Sequence, residues 1–398
     1  MKKLIVFICV SVFISAIYAQ TETNEIPQVR VAINHGPYLQ NLKETEVTIV
    51  WIANKASVGW VELAPDDGTH FYQVERPKRY NVSNGLRNIS LVHSVTISGL
   101  EPGTRYRYRI YSQEVLEHRS WEVIYGRVAA TGVYTREPLT FTTNDRNKPE
   151  TSFIMVNDIH GRADDIRQMM EVAEHSTVDM VIFNGDMLNF FVNEAGIFSG
   201  FMDAAIEVFA KETPMYYARG NHETRGQFSF NFHDYFSQGE PHLYYMVRQG
   251  PVCFIFLDTG EDKPDTDIEY SGLADFDNYR TQQAQWLAKA VQSKEFTDAK
   301  FRIVISHKPP VSSGLLWHGQ REILEKFVPI LNDANADLML CGHLHRRLIF
   351  APNESIKFPI IVNAHRTVLK GVVKDNQLEL SILDLEGNIL DKHVVDAK

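Results

Sequence analysis

The sequence predicts an antiparallel β-sandwich followed by a largely parallel α/β domain, both behind a short N-terminal leader. Residues 36–143 are rich in β-forming residues that alternate with period two between turns containing Pro or Gly, which is typical of antiparallel strands. Over residues 151–390, apolar strands alternate with helical segments, which favours a sheet covered by helices. The 398 residues are enough for about two to three domains.

The overall composition is that of a folded globular protein. Hydrophobic residues make up 44% of the chain and charged residues 23%, which excludes a mainly disordered chain and a polytopic membrane protein. The formal net charge is −10. Because this excess of negative charge repels polyanions, we expect no binding to nucleic acid.

The leader has the composition of a secretory signal peptide. Lys2 and Lys3 precede an apolar run over residues 4–14, and small residues follow up to Ala19. The apolar run is shorter than the ~20 residues that a membrane span requires. We therefore predict a signal peptide over residues 1–19, a secreted or periplasmic protein, and no membrane anchor after cleavage.

The predicted sandwich occupies residues 36–143. Val47, Ile49 and Trp51 alternate with neighbouring β-formers, and a Glu-Pro-Gly-Thr turn over residues 101–104 precedes another alternating strand. The polar stretch Thr142–Pro149 is predicted to be the linker to the second domain.

The predicted α/β domain occupies residues 151–390. Strands are predicted at Ser152–Asn157, Asp179–Asn184, Pro214–Ala218, Val252–Leu257, Phe301–Ser306 and Asp337–Cys341. Helices are predicted from apolar spacing over residues 166–173, 201–210, 285–291 and 323–331. Short strands from Phe358 onward predict a second sheet that packs on the first. The acidic segment Glu261–Tyr279 is predicted to be a long surface loop, either a lid or a plain insertion.

The chain has only three cysteines, which are too few for a disulfide scaffold: Cys9, Cys253 and Cys341. The last two lie in apolar strands, so we predict two buried free thiols, with one disulfide between them as the alternative. A thiol enzyme built on them is an alternative, but neither cysteine has a neighbouring histidine or basic activator in the sequence.

Polar clusters follow five of the predicted strands. Because loops at the carboxyl ends of strands converge on one crevice in open α/β sheets, we expect these clusters to meet. They contribute the side chains of Asp158, His160, Asp186, Asn221, His222, His307, His343 and His345. The spacing of two residues in Asp158/His160 and in His343/His345 sends both side chains of each pair the same way in extended backbone.

A crevice lined by clustered carboxylates and imidazoles needs a bound cation to balance the charge of the carboxylates and to occupy the lone pairs of the imidazoles. Nitrogen and oxygen ligands without thiolate suit zinc, iron, manganese or nickel. The ligands are sufficient for two metal ions if Asp186 bridges them. Such a pair can activate a bridging water and stabilise an in-line displacement at phosphorus.

These motifs, in this order, resemble those of the calcineurin-like metallophosphoesterase superfamily: Asp-x-His, Gly-Asp, Gly-Asn-His-Glu, a lone His and Gly-His-x-His. The resemblance covers residues 151–350 closely and implies a four-layer α/β/β/α sandwich with two divalent or trivalent ions. Carried over, one ion would take Asp158, His160, Asp186 and His345. The other would take Asp186, Asn221, His307 and His343. The resemblance implies that His222 stays unligated beside the leaving group.

The first domain carries a second resemblance. Val95–Ile110 resembles the late strands of fibronectin type III domains, and residues 36–40 and 48–51 resemble the start of the purple acid phosphatase N-terminal domain. Purple enzymes have Gly where His160 stands and a metal-binding Tyr where Asn189 stands. We therefore expect the architecture to transfer, His160 to replace the tyrosinate ligand, and the purple Fe(III)–tyrosinate centre to be missing.

Other residues beside the motifs are weaker candidates. Glu223 could orient His222, while Arg162, Asn189 and His318 could contact substrate or line the crevice. Further cations that could hold phosphate oxygens are Arg219, Arg225 and Lys308.

The sequence thus predicts a secreted, binuclear-metal phosphoesterase that acts on a small phosphorylated substrate, a phosphomonoester in the first instance. A phosphodiesterase or nucleotide hydrolase uses the same motifs and remains an alternative. An alternative of another class is a binding or adhesion protein that works through its sandwich and carries a degenerate second domain. The intact set of metal-ligand positions opposes that alternative.

Overall fold

The first half of the chain is a β-sandwich organised by one long strand. The structure is a computed structural model and describes residues 29–397. The predicted leader and Cys9 lie outside the described residues. The strands are β1 (Ile33–Gln40), β2 (Glu46–Pro65), β3 (Lys78–Tyr80), β4 (Val82–Ser83), β5 (Leu86–Arg87), β6 (Ile89–Ser98), β7 (Arg105–Arg119), β8 (Glu122–Ala130) and β9 (Leu139–Thr142). The first part of β2 pairs with β1 and β6 and its second part with β3 and β7, so β2 links both layers.

Both faces of the first part of β2 are buried, which explains its unbroken run of β-forming residues. Val47, Ile49 and Trp51 point into the sandwich core. Val50 and Ile52, on the opposite face, belong to an apolar cluster that includes residues of the α/β domain. The two halves of the chain therefore share a packed contact.

Residues 151–397, the described part of the second half, contain twelve strands in two mixed sheets. The strands are β10 (Thr151–Val156), β11 (Met180–Asn184), β12 (Met215–Ala218), β13 (Tyr245–Gln249), β14 (Val252–Leu257), β15 (Phe301–Ser306), β16 (Leu338–Cys341), β17 (Leu348–Phe350), β18 (Ile360–Val362), β19 (Val368–Lys374), β20 (Gln377–Leu383) and β21 (Ile389–Asp396). The first sheet has the order β12-β11-β10-β19-β20-β21 and the second the order β13-β14-β15-β16-β18-β17. Strands β10 to β12 are parallel, as are β14, β15, β16 and β18.

Helices cover the outer face of each sheet. They are α1 (Ala163–Val172), α2 (Glu194–Ile197), α3 (Asp203–Val208), α4 (Phe232–Tyr235), α5 (Phe276–Ala290), α6 (Lys294–Thr297), α7 (His318–Lys326) and α8 (Val328–Asp333). A π-helical segment, Phe198–Met202, joins α2 to α3. Short 3₁₀ turns lie at His175–Thr177, His222–Thr224, Ser229–Asn231 and Ile268–Tyr270. Among residues 29–397, no helix is long and apolar enough to cross a membrane.

Alternate residues of the strands build the layers. Phe153 of the first sheet meets Phe254 of the second edge-to-face, with ring centroids 5.2 Å apart, inside the core between the sheets. Residues of opposite parity, such as Ile154 and Ile255, pack under the helices on either side. The resulting order of layers is α/β/β/α, which confirms the predicted fold class.

Two details of the sequence interpretation are wrong. The strands from Val368 onward form no second sheet. They extend the first one, because β19 pairs antiparallel with β10 and the middle strands supply the second sheet. The segment Glu261–Tyr279 is only partly a surface loop: Glu261 is buried and the last residues belong to α5. Cys253 and Cys341 are buried free thiols, as predicted.

Candidate metal centre

The loops after β10, β11, β15 and β16 meet at one edge of the paired sheets. The backbone N–H of Asp158 donates to Gly185 O at 3.0 Å, and that of Gly342 donates to His307 O at 2.9 Å. The backbone N–H of His343 in turn donates to Asp158 Oδ2 at 2.9 Å. These bonds run within each sheet and between the sheets, so the predicted clusters converge on one place.

Buried polar contacts join the two sheets beneath this edge, along a line that we call the inter-sheet seam. His307 Nδ1 donates to Asn184 O at 2.7 Å, and the Asn184 amide donates to the carbonyls of Ser306 and Leu340 at 3.4 and 3.3 Å. Asn184 ends β11 in the first sheet, whereas Ser306 and Leu340 belong to strands of the second sheet and His307 directly follows one of them. The seam therefore fixes donor groups of both sheets relative to each other.

Five of the predicted ligands have left-handed backbone conformations. They are Asp158, His160, Asp186, His343 and His345, with φ values of 54°, 51°, 55°, 70° and 54°. This conformation is costly for residues with a side chain and persists where the surroundings enforce it, most often at functional sites. The strained backbone thus coincides with the predicted ligand positions.

The first group of donors consists of Asp158, His160 and His345, whose ligand atoms all lie within 4.8 Å of one another. His345 Nε2 is 3.1 Å from Asp158 Oδ1, and the Nε2 atoms of the two histidines are 3.2 Å apart. Three ligand-type atoms that converge in this way match a cation site.

The second group consists of Asp186, His307 and His343. His307 Nε2 lies 3.0 Å from Asp186 Oδ2. Burial alone would lower the pKa of His307, but the Asp186 carboxylate raises it to about 10. Burial would raise the pKa of Asp186, but the His307 charge holds it well below its ordinary value. A metal ion at this position would displace that proton and pair with both groups.

The surroundings of the buried ligand atoms test whether metal ions fit these groups. Asn221 Oδ1 is buried and makes no hydrogen bond. Asp158 Oδ1 and His307 Nε2 are also buried, and their close polar neighbours are His345 Nε2 at 3.1 Å and Asp186 Oδ2 at 3.0 Å, which are themselves ligand-type atoms. Buried polar atoms are nearly always satisfied, so a cluster of buried ligand atoms that face one another needs an explanation. Their nitrogen and oxygen chemistry suits transition-metal ions, so the residues fit the metals that the sequence implied.

His222 lies beside both groups and is a member of neither. Its Nδ1 is 2.9 Å from the backbone oxygen of Asn189, and because a carbonyl only accepts, Nδ1 carries the proton. Nε2 is 3.4 Å from Arg225 Nη1 and 3.8 Å from Asp186 Oδ2. The His222 ring also packs edge-to-face against the His160 ring, with ring centroids 4.9 Å apart. Nε2 of His222 is thereby held next to the two groups.

The sequence analysis suggested that Glu223 could orient His222. In the structure, the hydrogen bonds of the Glu223 carboxylate go to other groups and not to the His222 ring. The fully buried carboxylate accepts hydrogen bonds from the backbone N–H groups of Asp186, Met187 and Gly220 at 2.9, 2.7 and 2.8 Å. The Tyr217 hydroxyl adds a fourth at 2.9 Å. Burial holds the pKa of Glu223 above its ordinary value. Glu223 thus clamps the backbone of the Asp186 loop, a role that local sequence spacing could not reveal.

The remaining candidates have separate partners. Asn189 is exposed and contributes its backbone oxygen to His222. Arg162 donates to Asp165 Oδ2 at 2.9 Å and to Asp158 O at 2.6 Å. His318 Nε2 lies 2.7 Å from Asp277 Oδ1, in a third group that Glu322 completes. That group already contains cations, because Arg280 and Lys326 pair with its carboxylates. Contacts with substrate stay predictions for these residues.

Three cations proposed for phosphate are paired with carboxylates. Arg219 lies 2.8 Å from Asp258 Oδ2. Arg225 makes two bonds of 2.7 and 2.8 Å to Glu261. Lys308 is fully buried, which lowers its pKa to about 8. Of the three, only Arg225 has a hydrogen bond to a side chain of the metal-binding motifs. Its Nη1 lies 3.4 Å from Nε2 of His222.

Sequence reasoning overlooked two further loops at the same edge. After β18, Asn363 donates to Asn157 Oδ1 at 2.8 Å, and Asn157 donates to Asp158 Oδ2 at 2.6 Å. After β14, the polar run 258–262 includes Glu261, which holds Arg225. The two loops directly follow β14 and β18, which are parallel to β15 and β16 respectively. The polar residues that follow these two apolar strands in the sequence were the signal that could have revealed them.

Buried carboxylate, amide and imidazole donors at the carboxyl edges of two stacked sheets define a metal-dependent hydrolase. Comparison with known families agrees. Residues 151–347 match the model of the calcineurin-like phosphoesterase family, and residues 32–125 match that of the purple acid phosphatase N-terminal domain. Residues 151–347 therefore form a calcineurin-like phosphoesterase domain, residues 32–125 form an N-terminal domain of the purple acid phosphatase type, and the protein is a metal-dependent phosphoester hydrolase.

A solved structure shares this architecture. The chain is similar to a purple acid phosphatase from yellow lupin (Lupinus luteus) seeds, with a TM-score of 0.66 and 13% identity over 90% of this chain and 74% of that one. A 5′-nucleotidase from Candida albicans aligns with a TM-score of 0.38 and 14% identity over 61% of this chain and 53% of that one. At such identity, the lupin match shows a common fold. No curated protein sequence matches the chain.

Glu223→Gln is expected to destabilise the metal-free protein by about 3 kcal/mol, because the new amide donor would face backbone N–H groups that now bond to a carboxylate. Urea unfolding measures the change in the free energy of unfolding. Glu207→Gln, at a side chain that is 63% exposed, is the matched control. A loss no larger than that of the control would contradict the clamp.

Proposed function

We propose that this hydrolase is a binuclear-metal phosphomonoesterase. The observation that carries the proposal is the presence of two neighbouring donor groups, each with ligand atoms within 4.8 Å of one another, which include the buried Asp158 Oδ1 and His307 Nε2. Two groups provide room for two ions. The Asp186 carboxylate belongs to the second group, with Oδ2 3.0 Å from His307 Nε2, and we assign it as the bridge to the first.

We assign Asp158, His160, Asp186 and His345 to one ion, and Asp186, Asn221, His307 and His343 to the other. When bound, the ions supply Lewis-acid chemistry that neutralises phosphoryl oxygens and activates water. His160 takes the place that a tyrosinate fills in purple enzymes, so no purple centre is expected. The identity of the ions is proposed only as a choice among iron, zinc, manganese and nickel.

His222 is the group that acts on the leaving oxygen. With Nδ1–H donating to Asn189 O, the protonated ring presents Nε2–H to the departing alkoxide and transfers that proton to it. Arg225 Nη1, 3.4 Å from Nε2, places a second positive charge at the same position. Both effects neutralise the negative charge that develops as the phosphorus–oxygen bond breaks.

We also propose that the protein is exported and acts as a secreted or periplasmic enzyme. The support is the signal-like order of residues 1–19.

A panel of three substrates tests the proposed specificity. We expect the highest kcat/KM on a phosphomonoester, a lower value on bis(p-nitrophenyl) phosphate, and no preference for a nucleotide over a simple monoester. Activity that vanishes with chelation and returns with added metal is part of the expected result. A diester preference would instead indicate a phosphodiesterase, and an inactive protein without metal would favour a binding function.

Asp186→Ala is expected to remove both metals, since this carboxylate should bridge them. Elemental analysis of the purified variant gives the metal content per chain. Asp164→Ala, at a carboxylate that is 98% exposed, is the control and should keep both ions. Two metals retained at full occupancy in Asp186→Ala would place the bridge elsewhere.

His222→Asn is expected to keep both metals and to lose ~10²–10⁴-fold in kcat/KM on alkyl phosphates, with a much smaller loss on p-nitrophenyl phosphate. The reason is that nitrophenolate leaves without a proton. His233→Asn, at an exposed histidine, is the control. Equal losses on both substrates would indicate transition-state positioning instead of proton donation, and loss of metal would make His222 a ligand.

A further inference from the structure

The loop that follows β14 carries a carboxylate to the metal centre. Strand β14 is parallel to β15, with Leu257 opposite Ser306, so its loop leaves the sheet beside His307. Five residues after the end of the strand stands Asp262, inside the segment that the sequence interpretation took for a surface loop. Nothing in the motif pattern points to this residue.

The Asp262 carboxylate lies between a predicted ligand and two cations. Oδ1 is 3.4 Å from His343 Nε2 and 3.4 Å from Lys308 Nζ. Oδ2 is 3.8 Å from Arg225 Nη2. Oδ1 is buried, and its close polar neighbours are the Lys308 ammonium, with which it forms an ion pair, and the His343 ring. Because a carboxylate oxygen has two lone pairs, Oδ1 can pair with Lys308 and also accept the N–H of the imidazole.

The loop that carries Asp262 is fixed on three sides. Glu261 is bound by Arg225 and accepts a hydrogen bond of 2.8 Å from Thr224. Lys308 donates to the backbone oxygen of Glu261. The backbone N–H of Gly319 donates to Asp262 O at 2.8 Å, and a Cβ at Gly319 would come within 2.4 Å of Glu261 O. This contact with α7 is therefore too close for a side chain.

We propose that Asp262 is a positioning residue for His343, and that it accepts the Nε2–H of the imidazole so that Nδ1 is the nitrogen left for the metal. This inference rests on the proposed binuclear function. Metal-ligating histidines usually donate their second ring N–H to a carboxylate or carbonyl, which fixes the tautomer and raises the basicity of the ligand. His343 is then held at two points, its backbone N–H by Asp158 and its ring by Asp262.

A purely structural role for Asp262 is the competing explanation. Its charge could serve only to neutralise the buried ammonium of Lys308. The two explanations differ in one respect: neutralisation of Lys308 concerns the stability of the loop, whereas positioning of His343 concerns the affinity of one metal.

The experiment titrates the full chain with Zn²⁺ against a competing chelator. Asp262→Asn is expected to weaken one of the two zinc sites by about 10–100-fold and to leave the other unchanged. Asp267→Asn, in the same segment and bonded to the backbone of Glu269, should leave both affinities as in the wild type. Equal zinc affinities in Asp262→Asn and wild type would overturn the inference.

The double variant Asp262→Asn/Lys308→Met separates the two explanations. If Asp262 only neutralised Lys308, removing both charges would restore zinc affinity, and the inference would be wrong. If Asp262 positions His343, the weakened site stays weak. Thermal unfolding of each metal-free variant shows that the comparison is made between folded proteins.

A crystal structure of the zinc-loaded wild type, with anomalous scattering, supplies a second measurement. Zinc on His343 Nδ1, with Nε2 within hydrogen-bond distance of Asp262, supports the inference. Zinc on Nε2, or on Asp262 itself, overturns it. A wild type that binds fewer than two zinc ions would count against the proposed function, whereas two zinc ions with an unaffected Asp262→Asn would count against this inference alone.

Discussion

The inter-sheet seam is the constraint on which the rest of the site depends. Asn184 ends β11 of the first sheet and bonds to His307, Ser306 and Leu340 of the second. The donors Asp158, His160, Asp186 and Asn221 follow strands of the first sheet, and His307, His343 and His345 follow strands of the second. Neither sheet alone could assemble the site, so the stacking of two sheets is a condition of its chemistry.

Holding these donors together is costly in two ways. Five of the proposed ligand residues adopt left-handed backbone conformations, and the Asp186 carboxylate is buried beside the His307 imidazole. The surroundings over-determine this arrangement. Glu223 fixes the Asp186 loop through backbone bonds, and Asn157 holds Asp158. Bound cations would relieve the electrostatic part of this cost, and metal binding would then stabilise the folded state at this edge.

The cationic side chains near the site mainly form ion pairs with carboxylates of the protein. Arg219, Lys308 and Arg225 each form an ion pair with an acidic residue of the loop after β14. Arg225 has the further contact with His222, so it links that loop to the proposed acid. Charged side chains beside a motif are therefore poor evidence for phosphate binding until their partners are known.

The sequence by itself predicted that a β-sandwich precedes an α/β domain, and it identified the side chains that are proposed as metal donors. Period-two alternation and strand–helix alternation are local patterns, and a polar cluster after an apolar strand marks the edge where such clusters meet. Tertiary structure alone decided which sheet the strands after Val368 join, what Glu223 binds, and that Asp262 reaches His343. These depend on pairing and packing between segments far apart in the chain, and local spacing carries no information about them.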